Sequence, residues 1–164
     1  MKVTKEHKSQ ESRVLRKPQP IQCVRLVGQV AIPQIPQFLV NHQIQNHHII
    51  PNQIIQEYVE SYMNIQQTID QLVQPFDLQW NGIALPVGNN GVPSNDLRYY
   101  RPGHGAGHLQ YNNAVRQLIL NNSNGNINFL FNPQFRMNVA HYIRQKIHNT
   151  TQPNLNAMAN AGEI

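Results

Sequence analysis

The stretch QNHHIIPNQ, Gln45–Gln53, places two adjacent histidines at the end of an apolar approach, FLVNHQI, and follows them with Pro51. Its reading decides the fold. Successive side chains on a strand face opposite ways, so His47 and His48 cannot both reach one metal ion from a regular strand. They can divide the work instead. One imidazole holds an ion, while the other, with an unperturbed pKa of about 6.5, is free to accept a proton near neutral pH. Pro51 brings no N–H to a ladder and helps to close the strand.

Beyond Pro51 the apolar period lengthens. Ile54, Ile55, Tyr58, Val59, Tyr62, Ile65, Ile69, Leu72 and Val73 recur at three-four spacing, which predicts one amphipathic helix or two short ones from about Gln53 to Gln74. Pro75 ends that pattern. FDLQWNGIALPV then reads as a turn at Asn81-Gly82 leading into a short strand. A Gly, Asn and Pro loop from Gly88 to Gly103 carries the aromatic-basic centre LRYYRP. Helices are expected over about Ala106–Leu120, where Leu109, Val115, Leu118 and Ile119 share a face, and over about Pro133–His148. Upstream, IQCVRLVGQVAI has the β-branched content of a strand or hairpin edge. The expected class is α+β, with one domain over 21–150, a flexible basic arm over 1–20 and a loosely docked tail over 151–164.

Composition narrows the function classes. At 164 residues and 40% hydrophobic content the chain has room for one modest core. Of its net charge of +5, +4 lies within residues 1–18, so the remainder binds through local arginines and not through a broad field. A single cysteine, Cys23, excludes an internal disulfide framework and a CxxC metal site. No window approaches the roughly 18 apolar residues of a membrane span, and no apolar core follows the basic N-terminus. The expected location is therefore cytoplasmic, or outside the cell by a route that needs no signal peptide.

Four of the eight histidines form two pairs: His47-His48, and His104 with His108 in RPGHGAGHLQYNN. Four imidazoles offer three ligands and one spare, and three nitrogen donors with open positions describe a catalytic metal site. The i, i+4 spacing of His104 and His108 suits one side of a helix, with His104 at its entrance and His108 in its first turn. Arg98, Arg101 and Arg116 stand near that pair and are candidates to clamp phosphate oxygens, with Tyr99 and Tyr100 for stacking. A metal site, a proton-accepting histidine and arginines together describe phosphodiester hydrolysis. Taken singly, Asn81 is also a plain turn residue and Tyr111 plain core.

HHIIP, NGIALP and HGAGHLQYNNAV, in that order over about Gln45–Leu120, resemble the successive motifs of the HNH/endonuclease VII superfamily. Within it they are similar to the toxin-type subgroup named for Ala-His-His. Asn46 stands where that subgroup has alanine, and the interval from His48 to Asn81 holds a helical segment that minimal fingers lack. The resemblance implies a ββα-metal (His-Me finger) core, similar to that of the nuclease colicins. It implies His47, His104 and His108 as ligands of one divalent ion (Zn, Mg, Mn or Ni), His48 as general base and Asn81 as the central asparagine that braces the loop. The implied function is a metal-dependent DNA endonuclease acting as a toxin or effector, with an immunity protein as partner. A non-catalytic nucleic-acid-binding domain with a structural zinc, and a ribonuclease, are the competing expectations.

Overall fold

A computed structural model describes residues 30–31, 35–62, 69–93, 100–105 and 107–164. The basic arm, Cys23 and most of the expected N-terminal strand lie outside the described residues. The class is α+β. Strand β1, Ile44–His48, pairs antiparallel with β2, Gly82–Pro86, with His47 opposite Ile83 and His48 opposite Gly82. A second ladder of two residues per strand joins β3, Val92–Pro93, to β4, Tyr100–Arg101, inside the expected loop.

In the apolar run after Pro51, where Ile65 lies outside the described residues, the described residues form two helices. They are α1, Asn52–Tyr62, and α2, Ile69–Val73, with a 3-10 turn at Gln74–Asp77 behind them. Ile54, Ile55, Tyr58 and Val59 form the buried face of α1, the positions that the three-four period selects. The turn expected at Asn81-Gly82, leading into a short strand, is present in 3-10 form. Asn81 ends a second 3-10 turn, Gln79–Asn81, and β2 starts at Gly82. A Cβ at Gly82 would stand 2.0 Å from the carbonyl oxygen of Ala31, so the close approach of that backbone requires glycine.

Three helices complete the described chain: α3, Leu109–Asn121, α4, Pro133–Asn149, and α5, Leu155–Asn160. Asn132 caps α4 by accepting from Phe135 N at 3.1 Å, with Pro133 at the first helical position. One cluster of buried side chains, including Ile50, Tyr58, Phe76, Leu85, Tyr111, Ile119 and Ile143, joins the sheet to α1, α3 and α4. Leu155 and Met158 of α5 are fully buried in that same cluster. The segment 151–164 is thus not a loose tail: two apolar side chains, one turn apart, fasten it to the core. Among the described residues no helix is long and apolar enough to cross a membrane.

Candidate metal centre

His47 is the fourth residue of β1 and is only 6% exposed. Its ring meets those of His104 and His108 at centroid distances of 5.0 and 5.3 Å. Burial first, and then the neighbouring His104 and His108, hold its pKa well below the usual histidine value. His47 is therefore neutral, the form that ligates metal. Its Nε2 is buried without a hydrogen-bond partner among the described residues.

His104 and His108 reach the same place by a different route from the one their spacing suggests. His108 is the N-cap of α3 and not part of its first turn, and His104 lies in the loop before it. Gly105 and Gly107 take positive φ values of 74° and 69°, a conformation that suits glycine and turns the chain back on itself. The loop brings His104 Nε2 and His108 Nε2 within 3.1 Å. Two nitrogens bound tetrahedrally to one ion would stand about 3.3 Å apart. Backbone bonds from His104 N to Pro86 O (2.8 Å) and from Gly105 N to Gly88 O (2.7 Å) anchor the loop to the end of β2.

The donor set fits a cation. One ligand atom from each of His47, His104 and His108 lies within 4.8 Å of the others, close enough for the three to hold a metal ion. His104 Nδ1 lies 3.1 Å from Gly105 O; a proton donated there leaves Nε2 as the lone-pair atom facing the cluster. Burial also lowers the pKa of His104, and that of His108 to about 4, with His104 as the second cause for His108. All three rings therefore present lone pairs at neutral pH.

His48 points away from the cluster, as strand alternation requires, and its Nε2 is 2.8 Å from Asp77 Oδ1. His48 nonetheless shares with the three clustered histidines the wall of a cavity of about 270 Å³, whose rim carries Gln45, Asn46, Gln53 and Asn112. Asn81 is fully buried. Its Oδ1 accepts from Ile50 N at 2.7 Å and its Nδ2 donates to Phe76 O at 3.0 Å. Those partners stand two residues after His48 and one before Asp77, so one carboxamide fixes the spacing of the dyad. Arg144 braces the same turn, donating from Nη2 to the carbonyls of Gln79, Trp80 and Gly82. Tyr111 donates its hydroxyl to Ile49 O at 2.7 Å.

The arginines fare differently. Arg98 lies outside the described residues, and of Arg101 only the backbone in β4 is described. The expectation that Arg116 clamps phosphate meets a competing partner. Glu57 of α1 engages its guanidinium at two points, Nη2 to Oε1 at 2.7 Å and Nε to Oε2 at 2.8 Å. A phosphate there would have to displace a carboxylate already paired in fork geometry. Asp77 is the residue that sequence reasoning missed. Its only local signal is an acidic side chain between Phe76 and Leu78, an apolar setting that calls for a partner.

Comparison with known proteins finds no matching family model, no matching curated protein and no matching solved structure.

Proposed function

We propose that this chain is a metal-dependent endonuclease that hydrolyses DNA phosphodiester bonds, with β1, β2 and α3 serving as the two strands and helix of a ββα-metal core. The observation that carries the reading is the split of one histidine pair. His47 enters a three-imidazole cluster with a buried Nε2 that has no partner among the described residues, while His48 is tied to a carboxylate on the wall of the same cavity.

His47, His104 and His108 would hold the ion, and imidazole donors favour zinc or nickel over magnesium or manganese. A divalent ion bound there supplies Lewis-acid stabilisation of charge on the phosphate and the leaving oxygen. With Nε2 of His48 committed to Asp77, Nδ1 is the ring atom left to accept a proton from attacking water. The water oxygen bonds to phosphorus, the ester P–O bond breaks, the leaving alkoxide takes a proton from solvent water, and the hydroxide so formed is neutralised by the proton that His48 releases. Asp77 holds the His48 tautomer and offsets the positive charge that the ring gains. Asn81 keeps the dyad in register from below. The order of the three motifs supports a toxin role, and such a toxin requires a neutralising protein in its producer.

The test is cleavage of supercoiled plasmid in a series of divalent metals, with His48→Ala beside the wild type. The variant is expected to bind metal as the wild type does and to leave the plasmid intact. Undiminished nicking by His48→Ala would overturn the assignment of the base, and no cleavage by the wild type in any metal would overturn the nuclease reading.

A further inference from the structure

Helix α3 begins with an unusual cap. An N-cap side chain ordinarily accepts a hydrogen bond from the second or third amide of its helix. His108 occupies that position and makes no such bond, because its imidazole is turned into the histidine cluster. The orphaned amide is satisfied from another element. Asn156 of α5, 45 residues further on, accepts from Tyr111 N through Oδ1 at 3.2 Å. Its Nδ2 donates to Gly107 O at 2.6 Å. One carboxamide thus grips the chain on both sides of His108, at the residue before it and at the third residue after it.

We infer that Asn156 is a positioning residue of the metal centre, standing in for the N-cap that His108 gives up in order to serve as a ligand. The inference rests on the reading of His47, His104 and His108 as ligands. Gly107 is exposed and no atom of the described residues lies within 4 Å of where its Cβ would stand, so this end of the loop gains nothing from packing of its own. Beyond the backbone bonds that tie His104 and Gly105 to the end of β2, hydrogen bonds from the C-terminal segment hold the Gly107 end of the loop. Beside Asn156, Gly103 N donates to Pro153 O at 2.8 Å and Asn154 Nδ2 donates to Asn89 O at 3.0 Å. Leu155 and Met158, on either side of Asn156 in α5, are sunk in the core and give the carboxamide a rigid base. The C-terminal helix therefore converts core packing into the placement of a ligand, the role that partners behind metal-binding histidines commonly play.

The experiment titrates Zn²⁺ into the full chain by calorimetry, well below the melting temperature, for the wild type, Asn156→Ala, Asn156→Asp and Asn160→Ala. Thermal melts without metal accompany each protein. Asn156→Ala is expected to bind Zn²⁺ at least about tenfold more weakly, within the range seen when a partner behind a ligand is removed. Asn156→Asp keeps an acceptor for Tyr111 N but sets a second oxygen against Gly107 O, so its affinity should fall at least as far as that of Asn156→Ala. This variant also carries the test if Asn156→Ala does not fold. Asn160→Ala, on the exposed end of the same helix, should bind as the wild type does. Wild-type affinity in both Asn156 variants overturns this inference and leaves the metal site standing, as does an equal loss in Asn160→Ala. Failure of the wild type itself to bind Zn²⁺ overturns the metal site and this inference with it.

Discussion

His48 and Asp77 stand 29 residues apart in sequence and 2.8 Å apart in space, joined through His48 Nε2 and Asp77 Oδ1. Side-chain exposures of 10% and 19% keep the pair partly shielded while His48 still borders the cavity. The pair relates the strand that carries the histidines to the 3-10 turn that precedes β2. It also fixes which ring nitrogen is left for chemistry.

Removal of that carboxylate should therefore act on turnover and not on metal binding. A hydrogen bond to a charged group contributes about 1.5–3 kcal/mol, so Asp77→Ala is expected to lower kcat roughly ten- to hundredfold. The Zn²⁺ affinity should stay at the wild-type value, since Asp77 does not belong to the three-histidine cluster. Plasmid-cleavage kinetics combined with calorimetry check both halves. A loss of affinity equal to the loss of rate would place Asp77 in the metal site instead.

Metal should stabilise the fold. A ligand at a hundredfold excess over its Kd adds about 2.7 kcal/mol, worth roughly 5–10 °C for a chain of this size. Wild-type protein is expected to melt higher by that amount in Zn²⁺ and to return to its starting point in chelator. His47→Ala should respond far less, because it deletes the buried lone-pair nitrogen that has no partner among the described residues. A full thermal shift in His47→Ala would show that the stabilising ion sits elsewhere.

Much of this arrangement can be read from local pattern. Strand alternation alone separates His47 from His48, and the three-four period after Pro51 places Ile54, Ile55, Tyr58 and Val59 on the buried face of α1. The Asn132-Pro133 pair marks the start of α4. What escapes local reading depends on tertiary contact. The i, i+4 spacing of His104 and His108 suggests a helical pair, yet two left-handed glycines bring them together in a loop. Asp77 finds its partner across α1 and α2. The short helix α5 has too few apolar residues to show a period, and only the burial of Leu155 and Met158 reveals it as part of the core.

Acid should weaken the metal-free fold. The pKa values of His47, His104 and His108 are all lowered, chiefly by burial, that of His108 to about 4. In the unfolded chain these rings take up protons near pH 6.5. Between those limits the unfolded state binds more protons, so stability falls as pH drops from about 6.5 towards 4 and is fully present above 6.5. Urea denaturation of metal-free protein at pH 8, 6 and 5 should show a midpoint that declines from pH 8 to 6 and further from pH 6 to 5. A constant midpoint across that series would contradict burial of the three rings in the neutral form.

Asn81 should prove a structural keystone of the site before it proves anything else. It is fully buried, it accepts from Ile50 N at 2.7 Å, and it donates to Phe76 O at 3.0 Å. Asn81→Ala strands both backbone groups away from water at about 1–3 kcal/mol each. The expected result is a drop of several degrees in melting temperature together with reduced cleavage. Asn81→Asp keeps an oxygen for Ile50 N and sets a second one against Phe76 O, where a carbonyl offers no proton. Because that second oxygen repels the carbonyl of the residue preceding Asp77, Asn81→Asp should lose cleavage at least as severely as Asn81→Ala, with Zn²⁺ affinity maintained in both. Melting curves, calorimetry and plasmid assays on the two variants check this, and wild-type cleavage by Asn81→Asp would remove Asn81 from the chain of contacts that sets the His48–Asp77 distance.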